Sequence, residues 1–163
     1  MQTITHNTLE ERKRDGSHIL ISLTYIGKNS AENNGIESAE NNGIELTRVL
    51  EQWRRNNEKS DITSALVIND HYLLQNIEGS RPIINEVLGK LIKEYSHLVP
   101  HVLEIKEIEE RQWDGFLIKY LTSSIEDEEY ALKSFSAGAD FNPYLMQATQ
   151  VNGFIKAIFS ENN

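Results

Sequence analysis

The stretch "ITSALVINDHYLLQNIEG", residues 62–79, decides the fold. Two short runs rich in β-branched and aliphatic residues, 62–69 and 72–79, flank Asp70 and His71, the pattern of two strands joined by a tight hairpin. In the second run Leu73, Gln75 and Ile77 share one face by the two-residue alternation of a strand, and their neighbours predict that this face is buried. One polar amide therefore sits in an apolar row. A buried glutamine without partners costs about 1–3 kcal/mol, so Gln75 needs something to bind.

Outward from the hairpin the pattern alternates. Upstream, "SHILISLTYIG" (17–27) is short, β-branched and ends at a glycine, which predicts a strand. Leu46, Val49, Leu50 and Trp53 then recur at i, i+3, i+4 and i+7, the apolar stripe of a helix that ends in "RRNNEKSD". Downstream, "SRPIINEVLGKLIKEYSH" (80–97) predicts a second helix with Ser80 as N-cap and Pro82 in its first turn. Its expected buried face is Ile83, Ile84, Val87, Leu88, Leu91 and Ile92. "HVLEIKEIEE" and "WDGFLIKYLT" follow as two more strands.

This order predicts an α+β fold, a ferredoxin-like βαββαβ sandwich with both helices on one face and one extra strand. Residues 1–16 are expected to form a polar N-terminal arm, 17–122 the domain, and 123–163 a helical cap. The cap would hold two short amphipathic helices, "IEDEEYALKSFSAG" and "YLMQATQVNGFIKAIFSE", packed on the core or on a partner. One repeat stands out: "SAENNGIE" occurs at 30–37 and again at 38–45. So small and polar a unit cannot build a solenoid, so it is expected to be a tandem duplication in a surface loop between first strand and first helix.

The composition excludes several function classes. A net charge of -9 and no clustered Lys/Arg stripe argue against nucleic acid. With no cysteine there is no disulfide, thiolate nucleophile or Cys-based metal site. No apolar run is long enough for a signal peptide or a membrane span, so a soluble cytoplasmic protein is expected. His97 and His101 straddle Pro100, which breaks the one-face spacing a helical metal pair needs, and no metal is expected.

The chemistry-bearing residues converge elsewhere. In the first strand Ile19, Ile21, Leu23 and Tyr25 point inward, so a phenol and the Gln75 amide are expected on one buried face. Asn56 and Asn57 end the first helix, where a short amide can point across the cleft. Singly, a strand glutamine is commonly an edge residue, a terminal tyrosine caps a core and an Asn pair forms a helix C-cap or turn. Together, three amides and a phenol form a site suited to a flat polar heteroaromatic ring, with no nucleophile and base among them.

"LTYIG", "RNN" followed by "ITSALV", and "LLQNIEG" resemble the signature segments of the BLUF domain, the blue-light sensor using FAD, over residues 17–122. The family fold is the ferredoxin-like sheet. The resemblance implies that Tyr25 gives an electron and proton to the excited flavin, and that Gln75 links its phenol to the flavin ring. It implies FAD contacts by Asn56 and its neighbour Asn57 at the ring's polar edge, by Lys90 and Glu94 toward the ribityl and phosphate tail, and by Ile62 and Ile118. It further implies a non-enzymatic protein that signals by contact with a downstream protein and forms a homo-oligomer. In three places the chain departs from the pattern: Ser64 replaces a glycine, Leu73 an aromatic residue, and Phe116 and Ile118 a Trp/Met pair. The rival reading is a flavin-free ferredoxin-like interaction module derived from the same family; a small hydrolase lacks its Arg-bearing oxyanion loop.

Overall fold

In the computed structural model, residues 15–28, 36–57, 61–121 and 141–160 are described. The strands are β1 (Leu20–Lys28), β2 (Ile62–Ile68), β3 (Tyr72–Ser80), β4 (His101–Ile108) and β5 (Phe116–Tyr120). The helices are α1 (Ile36–Asn56), α2 (Arg81–Lys93) and α3 (Ala148–Ser160), with short 3-10 turns at Ser96–Leu98 and Pro143–Leu145. One sheet runs β4-β1-β3-β2-β5, antiparallel except for the parallel β2–β5 pair. This is the ferredoxin-like α+β arrangement with the extra strand β5 at one edge.

The hairpin at the centre forms as the sequence indicates. Asp70 and His71 are its two loop residues, closed by Asn69 N–H donating to Tyr72 O. The Asn69 side chain accepts from the His71 and Tyr72 amides, a local bond that favours asparagine in turns. Position 79, one residue before the end of β3, is a glycine because a Cβ there would stand 2.6 Å from the Asp61 carbonyl oxygen. No larger residue fits without moving backbone.

Both faces of the sheet are covered. On one, α1 and α2 pack their stripes, Leu46 and Leu50 with Ile84, Val87 and Leu91, onto Leu23, Ile62, Leu66, Leu73 and Ile77. On the other, α3 lays Val151, Phe154, Ile155 and Ile158 against Ile26, Ala65, Val67, Leu74 and Trp113. β2 and β3 are buried on both sides, which explains their near-continuous apolar sequence.

Several expectations need correction. α1 begins at Ile36 rather than near Leu46, so the second "SAENNGIE" copy is helical backbone and not loop. Once the Leu46–Trp53 stripe fixes a helix, each residue added upstream closes another backbone bond, which outweighs the roughly 1 kcal/mol cost of Gly43. Most of the first copy lies outside the described residues. Ser80 occupies the N-cap of α2 in extended conformation but makes no side-chain cap bond. Ile92 is 62% exposed because it lies past the edge of the stripe centred on Ile84, Val87 and Leu91. Tyr144 and Leu145 belong to a 3-10 turn, with α3 starting only at Ala148. The proposed helix "IEDEEYALKSFSAG" and the arm up to residue 14 lie outside the described residues.

Candidate functional site

Strand register brings the phenol and the amide together. Tyr25 faces Gln75 across β1–β3, Gln75 faces Leu66 across β3–β2, and Leu66 faces Ile118 across β2–β5, one lateral row on the face covered by α1 and α2. The Tyr25 hydroxyl donates to Gln75 Oε1 at 2.7 Å, and both side chains are fully buried. Beside this row β4 carries an irregularity between its Thr24 and Tyr25 partners, so that Leu103 is passed over and Val102 comes opposite Tyr25. Such bulges re-aim neighbouring side chains.

The next row over is Leu23, Ile77, Ser64 and Phe116. From it Ser64 reaches diagonally to Gln75, whose Nε2 donates to Ser64 Oγ at 3.4 Å. The Gln75 amide is thus held at both ends. Burial, and secondarily Tyr95 nearby, push the Tyr25 phenol far above its ordinary value, so it carries its proton throughout the physiological range.

The remaining candidates surround this pair at differing distances. Ile62 is fully buried in the same core. Lys90 on α2 places its ammonium 5.0 Å from the Trp53 ring centre on α1 and pairs with Glu94 at 3.4 Å, bridging the two helices. Asn56 is exposed at the end of α1, where its Oδ1 accepts from Gln52 at 3.3 Å. Asn57 continues the turn, its backbone N–H donating to Trp53 O. Neither asparagine bonds the Tyr25–Gln75 pair. Ile118 is 47% exposed at the sheet edge, with Leu66 between it and Gln75. Over Phe116 lies the Arg54 guanidinium at 5.6 Å.

A second polar network lies on the opposite face, and sequence reasoning missed it. Asn76, next to Gln75 but pointing the other way, donates to Ser22 and Thr24 hydroxyls at 2.8 Å each and accepts from Trp113 Nε1 at 2.8 Å. The buried Glu78 carboxylate accepts from Thr63 Oγ1 and from the backbone N–H groups of Gln112 and Trp113. Arg111 completes it, donating to Thr63 Oγ1, Glu78 O and Asp61 O; burial lowers its pKa, opposed by Glu78 and Asp61. The signal was present: polar residues at 76 and 78 alternate with the Gln75 row, and an apolar C-terminal helix was expected to cover something. Trp113, just ahead of β5, lies with this second core, on the face opposite Phe116.

Comparisons with known proteins agree with this fold. A family model described as BLUF, sensors of blue-light using FAD, matches residues 20–119. Among solved structures, BlsA in its photo-activated state has a TM-score of 0.65 at 18% identity, covering 84% of this chain and 92% of that one. BlrB, a BLUF protein in its dark state, has a TM-score of 0.61 at 18% identity, covering 88% and 97%. A bacterial light-regulated adenylyl cyclase has a TM-score of 0.55 at 19% identity, covering 71% of this chain and 32% of that one. At such identities the likeness is one of fold. No curated protein sequence matches.

Proposed function

We propose that this chain, which belongs to the BLUF family, is a blue-light photoreceptor that holds FAD non-covalently and signals by rearranging the hydrogen bonds of Gln75. The carrying observation is the buried 2.7 Å bond between Tyr25 and Gln75. Family membership supports a flavin, and the residues fit one. An amide has two donor hydrogens and two acceptor lone pairs; the bonds to Tyr25 and Ser64 use one of each, which leaves one N–H and one lone pair for the polar edge of a ring. Asn56 and Asn57 would add amides, Ile62 and Ile118 apolar contact, and Lys90 with Glu94 the charges near a ribityl-phosphate tail.

Bound FAD supplies the absorption of blue light and the capacity to take up an electron. Within the chain, Tyr25 would give up an electron to that group and its phenolic proton along the bond to Gln75, and then recover both, so no net redox change would remain. Gln75, bonded to that phenol, is left in a new amide arrangement. Burial helps twice: it keeps Tyr25 protonated in the dark, and it keeps water from competing for the amide.

Output passes by protein contact to a separate effector, through a homo-oligomer acting in the cytoplasm. Family membership supports the effector, since BLUF domains act as sensors that commonly signal to effector partners. Among the described residues no helix is long and apolar enough to cross a membrane. The flavin-free module draws on one observation, that Ser64 and Tyr25 already occupy both ends of the Gln75 amide. An absorption spectrum of protein purified with ample FAD, taken in darkness and after blue light, separates the two readings. A flavin spectrum that shifts slightly to the red and reverts in darkness is expected; colourless protein after reconstitution would favour the module.

A further inference from the structure

Ser64 stands where the resemblance would have a glycine, and its side chain reaches the switching amide. It is fully buried on β2, two positions along from Leu66, the residue that directly faces Gln75. Its backbone N–H is committed to Gly115 O at 2.9 Å, so the strand fixes where the hydroxyl stands. From that place Oγ accepts from Gln75 Nε2.

We infer that Ser64 is a positioning residue for the Gln75 amide, a third member of the switch whose hydroxyl holds whichever end of the amide faces it and thereby slows its reorientation. The inference rests on the photoreceptor reading above. A hydroxyl is both donor and acceptor. With Nε2 toward it, Ser64 accepts, as in the structure; with Oε1 toward it, the same hydroxyl rotates about its Cβ–Oγ bond and donates. The pair is therefore made in both arrangements and broken only while the amide turns between them. A group that serves two states alike shifts no equilibrium between them. It raises the barrier, so the consequence is kinetic.

The test compares FAD-loaded wild type with Ser64→Ala, Ser64→Gly and Ser64→Thr, reading flavin content, thermal midpoint, size of the light-induced red shift and dark-recovery rate. Ser64→Ala and Ser64→Gly are expected to keep flavin and red shift while recovering about 3–10-fold faster, the size of one lost neutral hydrogen bond. Ser64→Thr, which keeps the hydroxyl, is expected to recover at close to the wild-type rate. A purely space-filling role would leave the rate following side-chain volume, with Thr departing from wild type as much as Ala does, and that pattern overturns the inference. So does an Ala or Gly variant that recovers at the wild-type rate, or more slowly. In all of these the wild type cycles and the photoreceptor reading stands; a wild type that holds flavin without any shift removes that reading, and this inference with it.

Discussion

At the residue scale, the proposed switch is one phenol and one amide placed opposite each other by strand register. Replacing Tyr25 by Phe removes the donor to Gln75 Oε1 and leaves a buried carbonyl short of a partner. The expected loss is about 1 kcal/mol in chemical denaturation, with the light response abolished while flavin stays bound. The raised pKa of Tyr25 sets a pH prediction too. Above the ordinary tyrosine value of 10.0 the unfolded chain gives up the phenolic proton while the folded one keeps it. The unfolded state then binds fewer protons, so the stability due to this group is complete below that pH and declines as pH rises beyond it. Denaturant midpoints across the alkaline range should fall, and the fall should be smaller in Tyr25→Phe. Gln75 was legible as a misfit in an apolar row, and Tyr25 by the same alternation. Asn76 was not singled out, because a polar residue on the other face reads as solvent-facing until something is known to cover it.

At the scale of elements, β3 carries two polar systems back to back, Gln75 toward the helices and Asn76 and Glu78 toward α3. Asn76→Ala would strand the Trp113 indole N–H and two hydroxyls, and a loss of about 1–3 kcal/mol in denaturant unfolding is expected. Gly79→Ala drives a methyl against the Asp61 carbonyl at 2.6 Å, so a loss of similar size, about 1–3 kcal/mol, is expected through overpacking. An unchanged midpoint in either variant would contradict the packing described. The start of α1 was hidden for a different reason. Apolar periodicity marks where a helix packs, and an Asn-Gly-rich segment carries no such mark, although a packed helix can extend into it.

At the scale of the whole molecule, the fold followed from the order of strands and helices, because short antiparallel connections leave few ways to close a sheet under two helices. The surroundings of the switch were less legible. Asn56 was placed at the cleft from its position at a helix end and Ile118 by resemblance; in the structure both are exposed and neither bonds the pair, and sequence spacing does not fix where a helix end points. The duplication bears on this scale as well. Since its copies are identical, deleting either leaves "SAENNGIE" joined to Leu46, so α1 keeps its sequence back to residue 38, loses its first two residues and has only Asn29 between it and the end of β1; the turns ahead of Leu46, where the apolar stripe begins, would have to unwind to bridge the gap. The deletion variant should stay soluble, with a thermal midpoint within a few degrees of wild type and an unchanged light response; insoluble protein would show that the length of that connection matters. Whether light rearranges the Gln75 amide is read from the light-minus-dark absorption spectrum of FAD-loaded wild type beside Gln75→Leu. A reversible red shift is expected in wild type and none in the variant, with flavin retained in both; a variant that still shifts and reverts like wild type would show that the amide is not the switch.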